Sequence, residues 1–248
     1  MIPLLRAELL KLRTTRTFLA LTAVTVVTSA LLAGVAAYLT KAGGDGALVD
    51  VFTSDTSGLF VLVLAIVGIT GEWRHRTIAG ALLAVPDRVR FLAAKTLAYA
   101  VAGAVLSLAV SVAITVVGVV VLEWRDVPLP AAGALVEQYA RNGFVALLMG
   151  ALGVGIGAVA RNQAAGIVAA LVLSFVIEPA VIGFVPEAGR FGPFGALPLP
   201  ITDVPPEAVG MGDLDVVPGG VAALLMLAWI GAVFAAGAAL LRRRDVSG

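Results

Sequence analysis

The sequence predicts an all-α membrane protein with six crossings, and three observations carry that expectation. Mean hydropathy is +1.04 and 60% of the residues are hydrophobic, more apolar surface than a soluble domain of 248 residues can hide. Apolar runs long enough to cross a bilayer recur along the chain. None shows the ten-residue alternation of a membrane barrel, so each must satisfy its own backbone as a helix. The chain has no cysteine and one histidine, which excludes disulfides and a Cys/His metal site. A single membrane domain over 1–248 is expected, with no metal bound.

The first element precedes the first crossing. Ile2, Leu5, Leu9 and Leu12 recur at helical spacing on one face. Arg6 and Arg13 share another face, with Glu8 and Lys11 further round, and Pro3 suits a first helical turn. This pattern predicts a helix over 1–16 lying in the membrane interface. The six crossings then read as 18–38, 51–70, 92–122, 136–159, 164–182 and 218–241. The first run exceeds the apolar core of a cleavable signal peptide, about 7–15 residues, so it reads as a retained crossing.

Charge fixes the expected orientation. One side collects Arg6, Lys11, Arg13, Arg16, Arg74, Arg76, Arg88, Arg90, Lys95, Arg161, Arg242, Arg243 and Arg244. The other holds Lys41, Arg125, Arg141 and Arg190, with acids that include Asp45, Asp50, Glu123, Asp126, Glu187, Asp203, Glu207, Asp213 and Asp215. Both termini are therefore expected in the cytoplasm. Three lysines against fourteen arginines, with heavy Ala, Val and Gly use, point to a GC-rich bacterial genome and so to a bacterial cell membrane. Trp73 and Trp124 fit the two interfacial belts.

The connector between the second and third crossings, GEWRHRTIAGALLAVPDRVRFLAAK, is the densest in basic residues. Glu72, Arg74, His75 and Arg76 leave the second crossing. Thr77 is placed to cap a short helix over 78–85, Pro86 to end it, and Asp87 to cap the third crossing. Ile78, Leu82 and Val85 share one face, which suits docking in a partner's groove. The plainer alternative is a solvated basic loop.

Glu72, Arg74-His75, Thr77-Ile78, Leu82-Leu83-Ala84, Pro86 and Ala93-Ala94-Lys95 together resemble the connector of ABC-2 type transport permeases, the six-helix membrane subunits of bacterial ABC exporters. Glu8 to Arg16, Arg161-Asn162 and Glu178-Pro179 extend the resemblance in order. It implies a type V exporter-like arrangement. In it, 1–16 is the elbow helix, 71–90 the cytoplasmic coupling connector and 183–217 an outer re-entrant segment. Glu72, Arg74, His75, Arg76, Thr77, Ile78, Leu82, Leu83, Val85, Pro86 and Arg88 would contact a separate ATPase subunit, which would carry ATP and Mg. A second permease, identical or homologous, would complete the path.

The chain itself has no phosphate-binding loop, because Lys11, Lys41 and Lys95 all lack a preceding Gly. No cofactor is expected on it, and ATP hydrolysis would belong elsewhere. Gly153-Val-Gly-Ile-Gly157 lies inside a crossing, where small residues permit close helix packing.

Within the membrane, Ser107, Ser111 and Thr115 continue the line of Gly103, either as a packing face or along a substrate path. The polar residues 53–57, Asp55 among them, mark the outer end of the second crossing, at a mouth or subunit interface. Glu178 lies about 24 Å along the fifth crossing from Asn162. It could contact substrate or cap the following segment, since Pro179 bends or ends the helix there. Trp229 falls near the middle of the sixth crossing, as packing or as lining of an apolar path. The segment 183–217, rich in proline and glycine, cannot face lipid as a loop and is expected as a lid.

These features favour an ATP-driven exporter subunit for an amphiphilic or lipophilic cargo. An ion-coupled secondary carrier would want more charge at mid-depth. A membrane enzyme lacks the parts for metal or Ser–His hydrolysis. A non-transporting tether for an ATPase remains the other alternative. The surrounding partner is lipid, and nothing points to nucleic acid.

Overall fold

The computed structural model describes residues 2–40, 47–212 and 214–243. Expectations resting on Lys41, Asp45, Asp213 and Arg244, and on the side chains of Ile2 and Arg243, lie outside what is described. Among the described residues the fold is helical throughout, and six helical stretches are long and apolar enough to cross a membrane.

Helix α1 (Ile2–Thr14) leads directly into α2 (Arg16–Leu39), the first crossing. Buried Thr25, Ser29, Ala33 and Ala37 recur every four residues on α2 and let it lie close against α6 (Arg88–Trp124). The second crossing was expected to be continuous, but it is broken. Helix α3 (Ala47–Phe52) stops, and α4 (Ser57–Arg74) starts after a short bend. Local polar groups explain the break, because they offer the backbone alternatives to the helix ladder. Thr53 Oγ1 donates to the Asp50 carbonyl, and the Asp55 carboxylate accepts the Ser57 N–H at 2.8 Å. Ser29 on α2 pairs with Thr56 at 2.7 Å, which pins the bend to the first crossing.

The connector forms α5 (Ile78–Ala84). Asp87 caps α6 as expected, accepting from Val89 N at 3.0 Å and Arg90 N at 3.1 Å. With 37 residues, α6 is about 55 Å long, well beyond the roughly 30 Å of bilayer hydrocarbon. Helix α7 (Ala132–Ala160) is the central crossing and packs against α4, α6 and α12 (Gly219–Arg243). A methyl group at Gly150 would lie 2.3 Å from the Tyr99 carbonyl oxygen, and one at Gly153 would lie 2.5 Å from that of Leu62. The small residues of α7 thus permit close backbone-to-backbone approach to both neighbours.

The fifth crossing comprises α8 (Gln163–Val172), a π-helical turn (Leu173–Ile177) and α9 (Glu178–Phe184). Asn162 caps α8 by accepting from Ala165 N at 3.0 Å. Pro179 accounts for the π turn, since its ring crowds the carbonyl four residues back, at Phe175. Short helices α10 (Pro186–Gly189) and α11 (Pro198–Thr202), and a 3₁₀ turn (Pro206–Val209), connect to α12. The outward faces of α2 and α8–α9 carry exposed apolar residues such as Leu31, Val168 and Phe184, as lipid or a partner helix requires.

Candidate functional site

The basic end is organised around Lys95. It lies about 10 Å from the start of α6 and is 1% exposed. Its ammonium meets Glu8 Oε2 at 2.7 Å and Glu72 Oε1 at 2.9 Å. Lys11 adds contacts to Glu8 at 3.0 Å and Glu72 at 3.3 Å. The Thr77 hydroxyl donates to the other Glu72 oxygen. Two carboxylates and two ammoniums therefore close one network among α1, the foot of α4, the start of α5 and α6. Burial alone would favour the neutral Lys11 amine, but the two carboxylates outweigh it and raise its pKa above the ordinary 10.5.

Glu8 enters this network because positions 5, 8, 9 and 12 share a helical face. Leu5, Leu9 and Leu12 pack into the apolar cluster around Phe91 and Leu92, and Glu8 is carried inward with them. The apolar stripe was legible in the sequence, and the inward Glu8 was the part missed. Glu72 and Lys95 both stood in the connector motif, but their pairing is a tertiary contact. Thr77 was expected to cap α5; its hydroxyl serves Glu72 instead, and α5 has no side-chain cap.

The structure also turns α5 relative to expectation. Ile78 is buried, and Leu82 and Val85 pack beside it on the protein's own core. The face expected to meet a partner is therefore the inner one. Outward stand Ala79, Gly80 and Leu83, the last 83% exposed. Arg74, His75, Arg76 and Pro86 of the same connector are exposed too. Arg74 donates to Gln163 Oε1 at 3.0 Å, Arg161 lies over the Trp73 ring, and Arg88 donates to the Leu241 carbonyl. These contacts draw the ends of α4, α6, α7, α8 and α12 together beneath the connector.

At the opposite end, Glu178 is buried and faces the chain's own backbone. Its carboxylate accepts N–H groups from Phe194 at 2.9 Å, Gly195 at 2.6 Å and Ala196 at 2.8 Å. Of the two roles open to it in sequence, its contacts are those of a cap for the segment after α10. A side chain at Gly192 would collide with this carboxylate, the added carbon falling 2.3 Å from Glu178 Cδ. The Trp229 indole donates to the Phe191 carbonyl at 3.0 Å, ten residues into α12. Trp229 and Glu178 also line an apolar cavity of about 320 Å³ with Leu152, Ile156, Ile177 and Val233.

The small polar stripe of α6 is buried against neighbouring helices. Gly103 approaches the Ala146 carbonyl of α7, Ser107 donates to Asp55 at 3.3 Å, and Thr115 accepts from Tyr139 at 2.7 Å. Ser107 and Ser111 are fully buried. These contacts bring Ser107 to Asp55, a residue on a different crossing.

A family model described as ABC-2 family transporter protein matches residues 4–177. No curated protein matches the chain. The matched stretch includes α1, the connector and the first four crossings, and it extends through the π turn of the fifth. With this match over well over half of its length and six membrane-compatible helices, the chain belongs to the ABC-2 transporter family, as a multi-pass transport permease that is not itself catalytic.

Proposed function

We propose that this permease is the membrane subunit of an ATP-driven exporter and that a separate ATPase subunit docks on the outer side of α5. The observation that carries the reading is Leu83. It stands exposed on a short helix whose opposite face is packed on the core and whose start is pinned by Glu72. An exposed apolar side chain on a connector that also exposes Arg74, His75 and Arg76 is a compact docking knob. ATP and Mg would be held by the partner. Binding there can bias the permease only if the contact differs between its two states.

In this reading the basic end is cytoplasmic, consistent with the arginine bias. Helix α1 is the interfacial elbow, and the lysine–glutamate network makes α1, α4, α5 and α6 move as one unit. The segment 183–217 forms the outer re-entrant lid, held by Glu178. The exposed apolar faces of α2 and α8–α9 meet lipid and a second permease, identical or homologous. The cargo is amphiphilic or lipophilic and leaves the cell.

Co-expression with the ATPase subunit encoded nearest to it, followed by pull-down, tests the docking. Leu83→Asp is expected to abolish capture while the permease elutes as the wild type does. Undiminished capture by a folded L83D permease contradicts the proposal.

A further inference from the structure

We infer that the cavity around Asp55 is a binding site for an organic cation with an apolar body. The inference rests on the permease reading above and narrows its cargo class.

The cavity is about 560 Å³ and lies at the end of the molecule opposite the connector. It opens between the bend before α4, the middle of α7, the π turn and the segment after α10. Asp55, Asn142 and Ser174 are among its polar lining residues, and Met149, Phe175 and Phe194 among its more numerous apolar ones. That mixture fits a ligand with one polar centre and a greasy body.

Three observations point to a positively charged centre. First, Asp55 takes only neutral donors, Ser57 N–H at 2.8 Å and Ser107 Oγ at 3.3 Å. No lysine or arginine pairs with it among the described residues. The buried carboxylates Glu8, Glu72 and Glu178 are all satisfied by ammoniums or by several backbone amides. Asp55 is half-buried in a largely apolar wall, where a carboxylate without a counter-ion is costly and a cationic ligand reduces that cost. Second, the Ser174 hydroxyl at the same cavity is buried and has no hydrogen-bond partner, which leaves an oxygen lone pair to meet a positive centre. Asn142, whose oxygen is held by Gln138 at 3.0 Å, turns its neutral amide nitrogen toward Asp55 and brings no competing charge. Third, the largely aliphatic apolar wall also carries the phenyl rings of Phe52, Phe175 and Phe194 and the thioethers of Met149 and Met211, surfaces that attract an organic cation more than a hydrated metal ion.

The bend that breaks the second crossing is what makes the site. Had α3 and α4 formed one helix, the Asp55 backbone would be committed to the helix ladder and its side chain would lie on the helix surface. The Ser29–Thr56 contact and the Asp55–Ser57 turn instead hold the carboxylate at the cavity wall.

The test is equilibrium binding of tetraphenylphosphonium to the purified permease in nanodiscs, with tetraphenylborate as the anion of the same shape. Wild type is expected to bind the cation saturably and to show no saturable site for the anion. Asp55→Asn should weaken cation binding at least tenfold. Asn142→Asp, which adds a second carboxylate, should tighten it, a change opposite to that of structural damage. Absence of saturable cation binding, equal binding by D55N, or failure of N142D to tighten overturns the inference. ATPase capture is scored on the same preparations. Cation binding lost with capture intact sinks the site alone, whereas capture lost with Asp55-dependent binding intact sinks the docking proposal alone.

Discussion

Glu72 and Glu178 are both buried carboxylates at the margins of the membrane domain, and they are satisfied in opposite ways. At the basic end Glu72 is held by two lysines from other helices, Lys95 and Lys11. At the far end Glu178 is held by three backbone amides of one loop. The difference teaches how each end is held together. Counter-ions drawn from separate helices bind those helices into one unit, which suits a place where force enters. Backbone amides freeze the path of a single segment, which suits a lid.

The sharpest way to break this comparison is to remove the charge at its centre. Lys95→Met leaves Glu8 and Glu72 facing each other without the buried ammonium, and should cost about 3–5 kcal/mol. A fall in the thermal unfolding midpoint would show it, and adding E8Q and E72Q to K95M should recover much of the loss. An unchanged midpoint for K95M would mean the network contributes no cohesion.

Glu178→Gln should come next. It keeps one acceptor but loses the charge behind three hydrogen bonds, a loss of about 1.5–3 kcal/mol. Faster amide exchange at Phe194, Gly195 and Ala196, with the basic end unaltered, would confirm that the effect is local. Asp87→Ala removes two accepted N–H groups at the start of α6 and should cost about 1 kcal/mol, read from the same unfolding curve.

The smallest effect belongs to Lys11. Its side chain is 55% exposed, so water screens the pair and Lys11→Met should cost less than about 1 kcal/mol. Because its pKa is raised, this contribution is fully present at neutral pH and disappears only as pH climbs through the raised value, above the ordinary 10.5. A titration between neutral and strongly alkaline pH should therefore show no loss from this group until the alkaline limb.

Depth was legible in the sequence, and direction was only partly so. The six apolar runs, the Asp87 cap, the Pro86 stop and the small residues of α7 follow from composition and local chemistry. Each involves neighbours along the chain. Glu8 and Lys95 are 87 positions apart, and nothing local marks them as partners. The rotation of α5 was misjudged for a related reason. Ile78, Leu82 and Val85 do share a face, but an apolar face on a short helix fits its own core as readily as a partner. The bend at 53–56 had a signal in Thr53, Ser54 and Asp55, which read as the polar end of a span. The hydrogen bonds of Thr53 and Asp55 to the backbone were what turned polarity into a break.

The orientation of α5 and the docking on it can be tested together, because the chain has no cysteine of its own. Single-cysteine variants Leu83→Cys and Ile78→Cys would be cross-linked in the assembled complex with a short bifunctional thiol–amine reagent. The account predicts that L83C joins the ATPase and that I78C, buried against the core, does not. Cross-linking through I78C, or none through L83C in a complex that still co-purifies, would contradict it.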